Sequence, residues 1–221
     1  MFEENKNKKL IKLSKLISKY CVGMEGNVST IDYDGFLIKA SGSRLDSMTY
    51  EDIVKYDWQL NQITNFHTKG SLEIGFHYFL LSTNQVSYVA HSHPINTLKI
   101  LCSKRAYEFA EDRIFPDQVV FNGKKSCIVP YRTPGNELAE AVKESVDNFI
   151  VTNNFFPKLI LLMNHGIIAC GNSVEECSII TDICEKSAEI FLSTDYCYKL
   201  STSDINKLLN DKNEKYRQGQ L

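Results

Sequence analysis

Strand-like and helix-like runs alternate along this chain, but without the strict strand–helix–strand rhythm of a parallel sheet. Val28-Ser29-Thr30-Ile31-Asp32-Tyr33 and Phe36-Leu37-Ile38-Lys39 flank Asp34-Gly35. That spacing predicts a β-hairpin, because Asp and Gly tolerate the positive φ of a type I′ turn. No Gly-rich loop joins a strand to a helix, so a Rossmann fold is not expected. The pattern predicts a single α/β domain over residues 1–221, with a central, largely antiparallel mixed sheet.

The remaining elements follow from periodicity and punctuation. Leu10, Ile11, Leu13, Leu16, Ile17 and Tyr20 recur at helical spacing and predict an amphipathic helix over 8–20. Residues 53–58 read as a strand. A helix over 71–82 would have Ser71 as its N-cap and Glu73 in its first turn. The strand over 86–93 stops at Pro94, which suits the first position of a helix over 95–102. Short strands are expected at 119–121 and 127–129, and a helix at 137–149. Two apolar strands, 159–163 and 167–170, enclose Asn164-His165-Gly166. Ser173 would cap a long helix over 174–192, whose N-terminus Glu175 and Glu176 favour. The tail from Ser203 is polar and reads as a short helix.

Composition narrows the function classes. Among 221 residues, 25 Lys and Arg face 27 Asp and Glu, a net charge of −2. No basic excess exists to hold a nucleic-acid backbone. No apolar run approaches a membrane span. Lys12, Lys15 and Lys19 break the N-terminal apolar stretch, which therefore lacks a signal-peptide core. The cysteines number seven and form no C-x-x-C pair, which argues against a disulfide framework and a thiolate zinc knuckle. A reducing cytoplasm is the expected setting.

Histidine is scarce: His67, His77, His91, His93 and His165. His91 and His93 are two apart at a strand end, so both side chains face one side and can grip one cation. Alone, such a pair is more often an ordinary hydrogen-bonded pair. His165 lies between two apolar strands, where a histidine is usually a satisfied core residue. The Gly166 after it suggests a tight turn or a close backbone approach. Three neutral imidazoles with an open fourth position form the usual catalytic zinc shell. Glu73 and His77, four apart, share one helix face. Glu73 reads either as a charge favoured by the helix dipole or as a general acid/base beside a metal. Gly26-Asn27, Ser41-Gly42 and Ser71 could offer neutral donors to an anion, although each alone is an ordinary turn.

The order of these segments resembles the class II aldolase/adducin family. The landmarks are Gly26-Asn27-Val28-Ser29, Asp34 through Gly42, Ser71-Leu72-Glu73 with His77, His91-Ser92-His93-Pro94, and Asn164-His165-Gly166 before the long helix. The resemblance covers residues 10–195, and the 115–135 stretch looks like a less characterised branch. It implies α/β/α layers around an antiparallel sheet. It also implies a divalent metal, with zinc the expected ion, held by His91, His93 and His165. Glu73 matches the acid/base, and Gly26, Asn27, Ser41, Gly42 and Ser71 match phosphate-binding positions. Where the sugar-phosphate aldolases carry Ser-Ser before the Glu, this chain has Ser71-Leu72, so one hydroxyl is absent.

The activity so implied is cleavage or formation of a C–C bond in a ketose or ketose phosphate through a metal-stabilised enediolate. Related 4-epimerases, dehydratases and decarboxylases share that logic, and an adducin-like binding module is the non-enzymatic alternative. The second acid/base stays open: Tyr107, Tyr131 and Tyr216 are candidates by chemistry, and a neighbouring subunit can supply such a group. The resemblance also implies a homotetramer with active sites at subunit boundaries.

Overall fold

A computed structural model describes residues 2–219; Met1, Gln220 and Leu221 of the expected 1–221 domain lie outside the described residues. Helix α1 (Phe2–Ile17) leads through a single 3-10 turn to β1 (Asn27–Ile31), β2 (Gly35–Lys39) and β3 (Ile53–Asp57). Next come α2 (Ile74–Ser82), β4 (Tyr88–Ser92), α3 (Ile95–Leu101), α4 (Ala106–Glu111), α5 (Pro116–Asn122) and β5 (Cys127–Val129). The chain continues through α6 (Asn136–Asn153), β6 (Leu159–Leu162), β7 (Gly166–Gly171), α7 (Val174–Leu192), α8 (Thr202–Asn210) and α9 (Lys212–Gln218).

The strands form one seven-stranded sheet in the order β3-β2-β1-β4-β7-β6-β5. Every pairing is antiparallel except β5 with β6. The largely antiparallel mixed sheet expected from the hairpin pattern is therefore present. Because strand side chains alternate faces, the sheet carries two cores. One face places Val28, Leu37, Ala90, Leu161, Ile167 and Ala169 against Leu10, Leu13 and Ile17 of α1, Ile100 and Leu101 of α3, Phe109 of α4 and Ile180 and Phe191 of α7. The other places Phe36, Ile38, Val89, Ile160 and Ile168 against Phe76 and Leu80 of α2 and Leu138 and Val142 of α6. The result is three α/β/α layers with β4 in the middle of the sheet.

Several local expectations need correction. The hairpin forms, with Ile31 opposite Phe36. However, neither Asp34 nor Gly35 has positive φ, so its turn is not type I′. Gly35 is required for another reason: a Cβ there would overlap the Tyr56 carbonyl of β3. Residues 119–121 are not a strand but the second half of α5. Pro116 sets the helical φ at its start, and Val120 and Phe121 pack on Ile183 of α7. Three apolar residues have no period that separates strand from helix.

Helix α2 starts at Ile74, after Ser71 and Glu73. The Ser71 N–H donates to the Lys39 carbonyl at 3.0 Å, and Ala40 bridges Gly70. That pairing keeps the chain extended there, so the helix cannot begin at Ser71. Pro94 is the N-cap of α3, with extended ψ, one position ahead of the expected one. The first helix starts earlier than residue 8, the helix expected over 137–149 runs longer, and the tail folds into two helices rather than one. Ser173 caps α7 as expected, its hydroxyl accepting the Glu176 N–H at 3.0 Å. No helix among the described residues is long and apolar enough to cross a membrane.

Candidate functional site

His91 is the next-to-last residue of the central strand β4, opposite Asn27 of β1 and Ile168 of β7. His93 follows one residue beyond that strand. His165 sits in the β6–β7 turn, where Asn164 takes φ 57° and the His165 N–H donates to the Leu162 carbonyl. A Cβ on Gly166 would lie 2.5 Å from the Ser92 carbonyl and 2.6 Å from the His93 ring. Glycine therefore lets the β7 backbone press against the histidine pair. The three rings converge, and one nitrogen from each lies within 4.8 Å of the others.

Hydrogen bonds fix how these rings face. His91 Nδ1 donates to the Ile167 carbonyl at 2.9 Å, leaving Nε2 with a lone pair. His93 Nδ1 faces the Glu25 carboxylate at 3.3 Å. The two Nε2 atoms then meet at 3.0 Å. When His93 carries its proton on Nδ1, toward Glu25, both Nε2 atoms present lone pairs to one another, and a shared cation relieves their repulsion. His165 Nδ1 is buried with no hydrogen-bond partner. Burial, and then His165, hold His91 down to about 3. Burial and then His91 hold His93 near 4, and burial also lowers His165. All three are neutral at physiological pH, the form a metal ion needs. The donor set fits a divalent ion with a taste for nitrogen ligands.

Glu73 is almost fully buried beside them. Its Oε2 lies 3.3 Å from His91 Nε2, and its Oε1 lies 3.3 Å from His165 Nε2. Asn27 Nδ2 donates to Glu73 Oε2 at 2.7 Å and to Ser71 Oγ at 3.0 Å. Glu73 Oε1 accepts no hydrogen bond. Although Glu73 is the N-cap residue of α2, its side chain caps no helix N–H.

The expected helix-face pairing of Glu73 with His77 is indirect. His77 Nε2 bonds to Asn27 Oδ1 instead, and Ser29 Oγ lies 2.6 Å from its Nδ1. Because an amide oxygen only accepts, His77 is the Nε2–H tautomer, and its Nδ1 accepts the hydrogen bond that the Ser29 hydroxyl donates. His77 thus sets the orientation of Asn27, which holds Glu73. Burial, then the nearby His91, keep His77 well below its ordinary 6.5. The imidazole of the unfolded chain takes up a second proton from solvent below about pH 6.5 and the folded one does not, so the stabilisation is complete above that pH and is lost as pH falls. The urea midpoint should drop less between pH 8 and pH 5 in His77→Gln than in the parent; equal drops would refute the assignment.

One cleft of about 260 Å³ gathers Gly26, Asn27, Ser41, Gly42, Ser71, Glu73, His91, His93 and His165. The nine residues read from the sequence as ligands, acid/base and anion donors thus line one cleft, while His67 and His77 do not. Tyr107, Tyr131 and Tyr216 are exposed and none lines the cleft. A larger depression, about 850 Å³, is also lined by Ser41 and Gly42 and contains His67, but among the described residues it holds no cluster of potential metal ligands.

The cleft also contains residues the sequence reading passed over: Met24, Glu25, Lys39 and Pro134. Lys39 is buried and donates to the Ala40 and Ser43 carbonyls at 3.1 and 2.7 Å. Burial lowers its pKa against the pull of Asp52, Cys21 and Glu73. Its signal was a lone charge closing the apolar run Phe36-Leu37-Ile38. Leu72, in the place of the absent hydroxyl, is mostly exposed at the cleft rim.

Residues 9–192 match the family model of the class II aldolase and adducin N-terminal domain. An L-fuculose phosphate aldolase of Methanococcus maripaludis is 28% identical over 184 residues, covering 81% of this chain and 92% of that relative. A 3-oxo-tetronate 4-phosphate decarboxylase of Escherichia coli is 26% identical over 173 residues, 77% of each chain. The solved structure of YgbL from Escherichia coli superposes with a TM-score of 0.79 at 21% identity, covering 94% of this chain and 99% of the other. The chain belongs to the class II aldolase and adducin family.

Proposed function

We propose that this chain is a metal-dependent lyase of the aldolase type, acting on a ketose phosphate. The observation that carries the reading is the facing pair of imidazole Nε2 atoms, with His165 and the free Glu73 oxygen beside them. His91, His93 and His165 would hold the ion, zinc being the one this donor set suits. When bound, a divalent ion supplies Lewis-acid polarisation of a carbonyl and stabilises the negative charge that develops on it. Glu73, steadied by Asn27, accepts and returns the proton on the carbon next to that carbonyl. Gly26-Asn27, Ser41-Gly42 and Ser71 receive the substrate anion with neutral donors. A non-catalytic module would have no need of a buried, half-satisfied carboxylate beside three neutral histidines.

The group that serves the departing aldehyde oxygen comes, in this reading, from a neighbouring subunit of a homotetramer, since no tyrosine among the described residues lines the cleft. The unpaired cysteines accord with a cytoplasmic setting. The decarboxylase among the relatives supports a second reading, loss of carbon dioxide from a phosphorylated keto acid. That reaction leaves the same kind of carbanion in the same cleft.

The test is elemental analysis of His91→Ala beside the parent. The variant should fold, because both cores are built of apolar side chains and include none of the three histidines, and should lose most of its bound ion. Unchanged metal content would refute the assignment. Supplying the parent protein with ketose phosphates and keto acids then separates the reactions: release of an aldehyde marks an aldolase, release of carbon dioxide a decarboxylase.

A further inference from the structure

We propose that Glu25 is a positioning residue of the metal centre, its carboxylate receiving the Nδ1–H of His93 and so turning that ring's Nε2 lone pair toward the ion. The proposal rests on the reading of the three histidines as a metal site. Glu25 Oε2 lies 3.3 Å from His93 Nδ1 and also accepts the Val22 N–H at 2.9 Å. The Glu25 N–H donates back to the Val22 carbonyl at 3.2 Å. The 22–25 turn is thus closed by both the backbone and the side chain of Glu25, and the carboxylate is held in place although 42% of the side chain is exposed.

The two neighbouring ligands are oriented by unlike partners. His91 gives its Nδ1 proton to the neutral Ile167 carbonyl. His93 gives its own to a full negative charge, which makes its Nε2 the more basic donor. Both arrangements impose the same tautomer, and both leave an Nε2 lone pair in the 3.0 Å gap between the rings. Glu25 and Glu73 together would balance the charge of a divalent ion. The alternative is that Glu25 only staples the 22–25 turn.

The test titrates zinc ions into purified metal-free protein against a competing chelator. Glu25→Ala should bind zinc about 10- to 100-fold more weakly. Glu25→Gln, which can still accept the Nδ1–H but carries no charge, should fall between it and the parent. With cobalt in place of zinc, both variants should shift the visible absorption bands of the bound ion. Parent-like zinc affinity in both variants would overturn the proposal. So would a Glu25→Ala protein whose only change is a lower melting temperature without metal, the mark of a turn staple. His91→Ala separates the two readings. If it too binds zinc like the parent, the metal site itself is wrong. If it loses zinc while Glu25→Ala keeps it, only the role of Glu25 fails.

Discussion

Glu73→Gln is expected to keep its fold and bound metal and to lose roughly 10²–10⁴ in kcat, the usual worth of a general acid or base. The substitution preserves shape and leaves an amide oxygen able to accept from Asn27 Nδ2, now 2.7 Å from Glu73 Oε2. What disappears is an atom able to take a proton, the role assigned here to Glu73 Oε1, which has no hydrogen-bond donor. The decisive measurement is exchange of the substrate proton next to the carbonyl with solvent deuterium. The parent should exchange it without cleavage, and the variant should not. Exchange at the parental rate in the variant would exclude the role. Were Glu73 merely a favourable charge at the start of α2, the change would cost at most about 1 kcal/mol of stability and little activity. The geometry disfavours that alternative, since the carboxylate turns away from the helix N–H groups and toward His91 and His165.

What the sequence discloses about this molecule is whatever is local. Ser173 followed by Glu175 and Glu176 announces the start of α7, because a cap and its partner sit within three residues. His91, in β4, and His93, just past its end, bring their ring centroids within 4.8 Å of each other, as the alternation of an extended chain leads one to expect. His165 is marked as unusual by Gly166, and the cause proves to be the approach of β7 to the histidine pair. Failures occur where a tertiary contact decides. The 119–121 run is helical because α7 offers Ile183 to pack against. Gly35 is there for the Tyr56 carbonyl of a different strand, not for its own turn. The partners of Glu73 are Asn27 and, through it, His77, which a local reading of four-residue spacing misassigns. Glu25 was hidden for a simpler reason: among Gly23, Met24 and Gly26 it looks like any exposed turn charge.

Arg113→Ala is expected to destabilise the fold by about 4 kcal/mol, combining a large cavity with orphaned acceptors. Arg113 is the largest fully buried side chain among the described residues, 1% exposed. Its guanidinium forms no ion pair among the described residues. Instead Nε donates to the Gly123 carbonyl at 2.6 Å, and Nη1 to the Ala110 and Asp112 carbonyls at 3.2 and 2.9 Å. Nη2 reaches Ser126 Oγ at 3.0 Å. These carbonyls lie at the ends of α4 and α5, where helices leave acceptors unsatisfied. One side chain therefore closes two helix ends and ties them to the segment entering β5. Burial pushes the guanidinium down to about 10, against the pull of Cys184, Glu111 and Asp112, so it remains charged at neutral pH. A charged donor makes the stronger kind of hydrogen bond. Arg113→Met separates the two contributions: it restores most of the volume but none of the donors. If urea unfolding shows Met nearly as damaging as Ala, the hydrogen bonds carry the effect. If Met is close to the parent, packing carries it. A parental midpoint in both variants would mean that the helix ends are satisfied by water once the arginine is gone. Since neither Arg113 nor any of its hydrogen-bond partners lines the cleft, the metal content of either variant should be that of the parent as long as it remains folded.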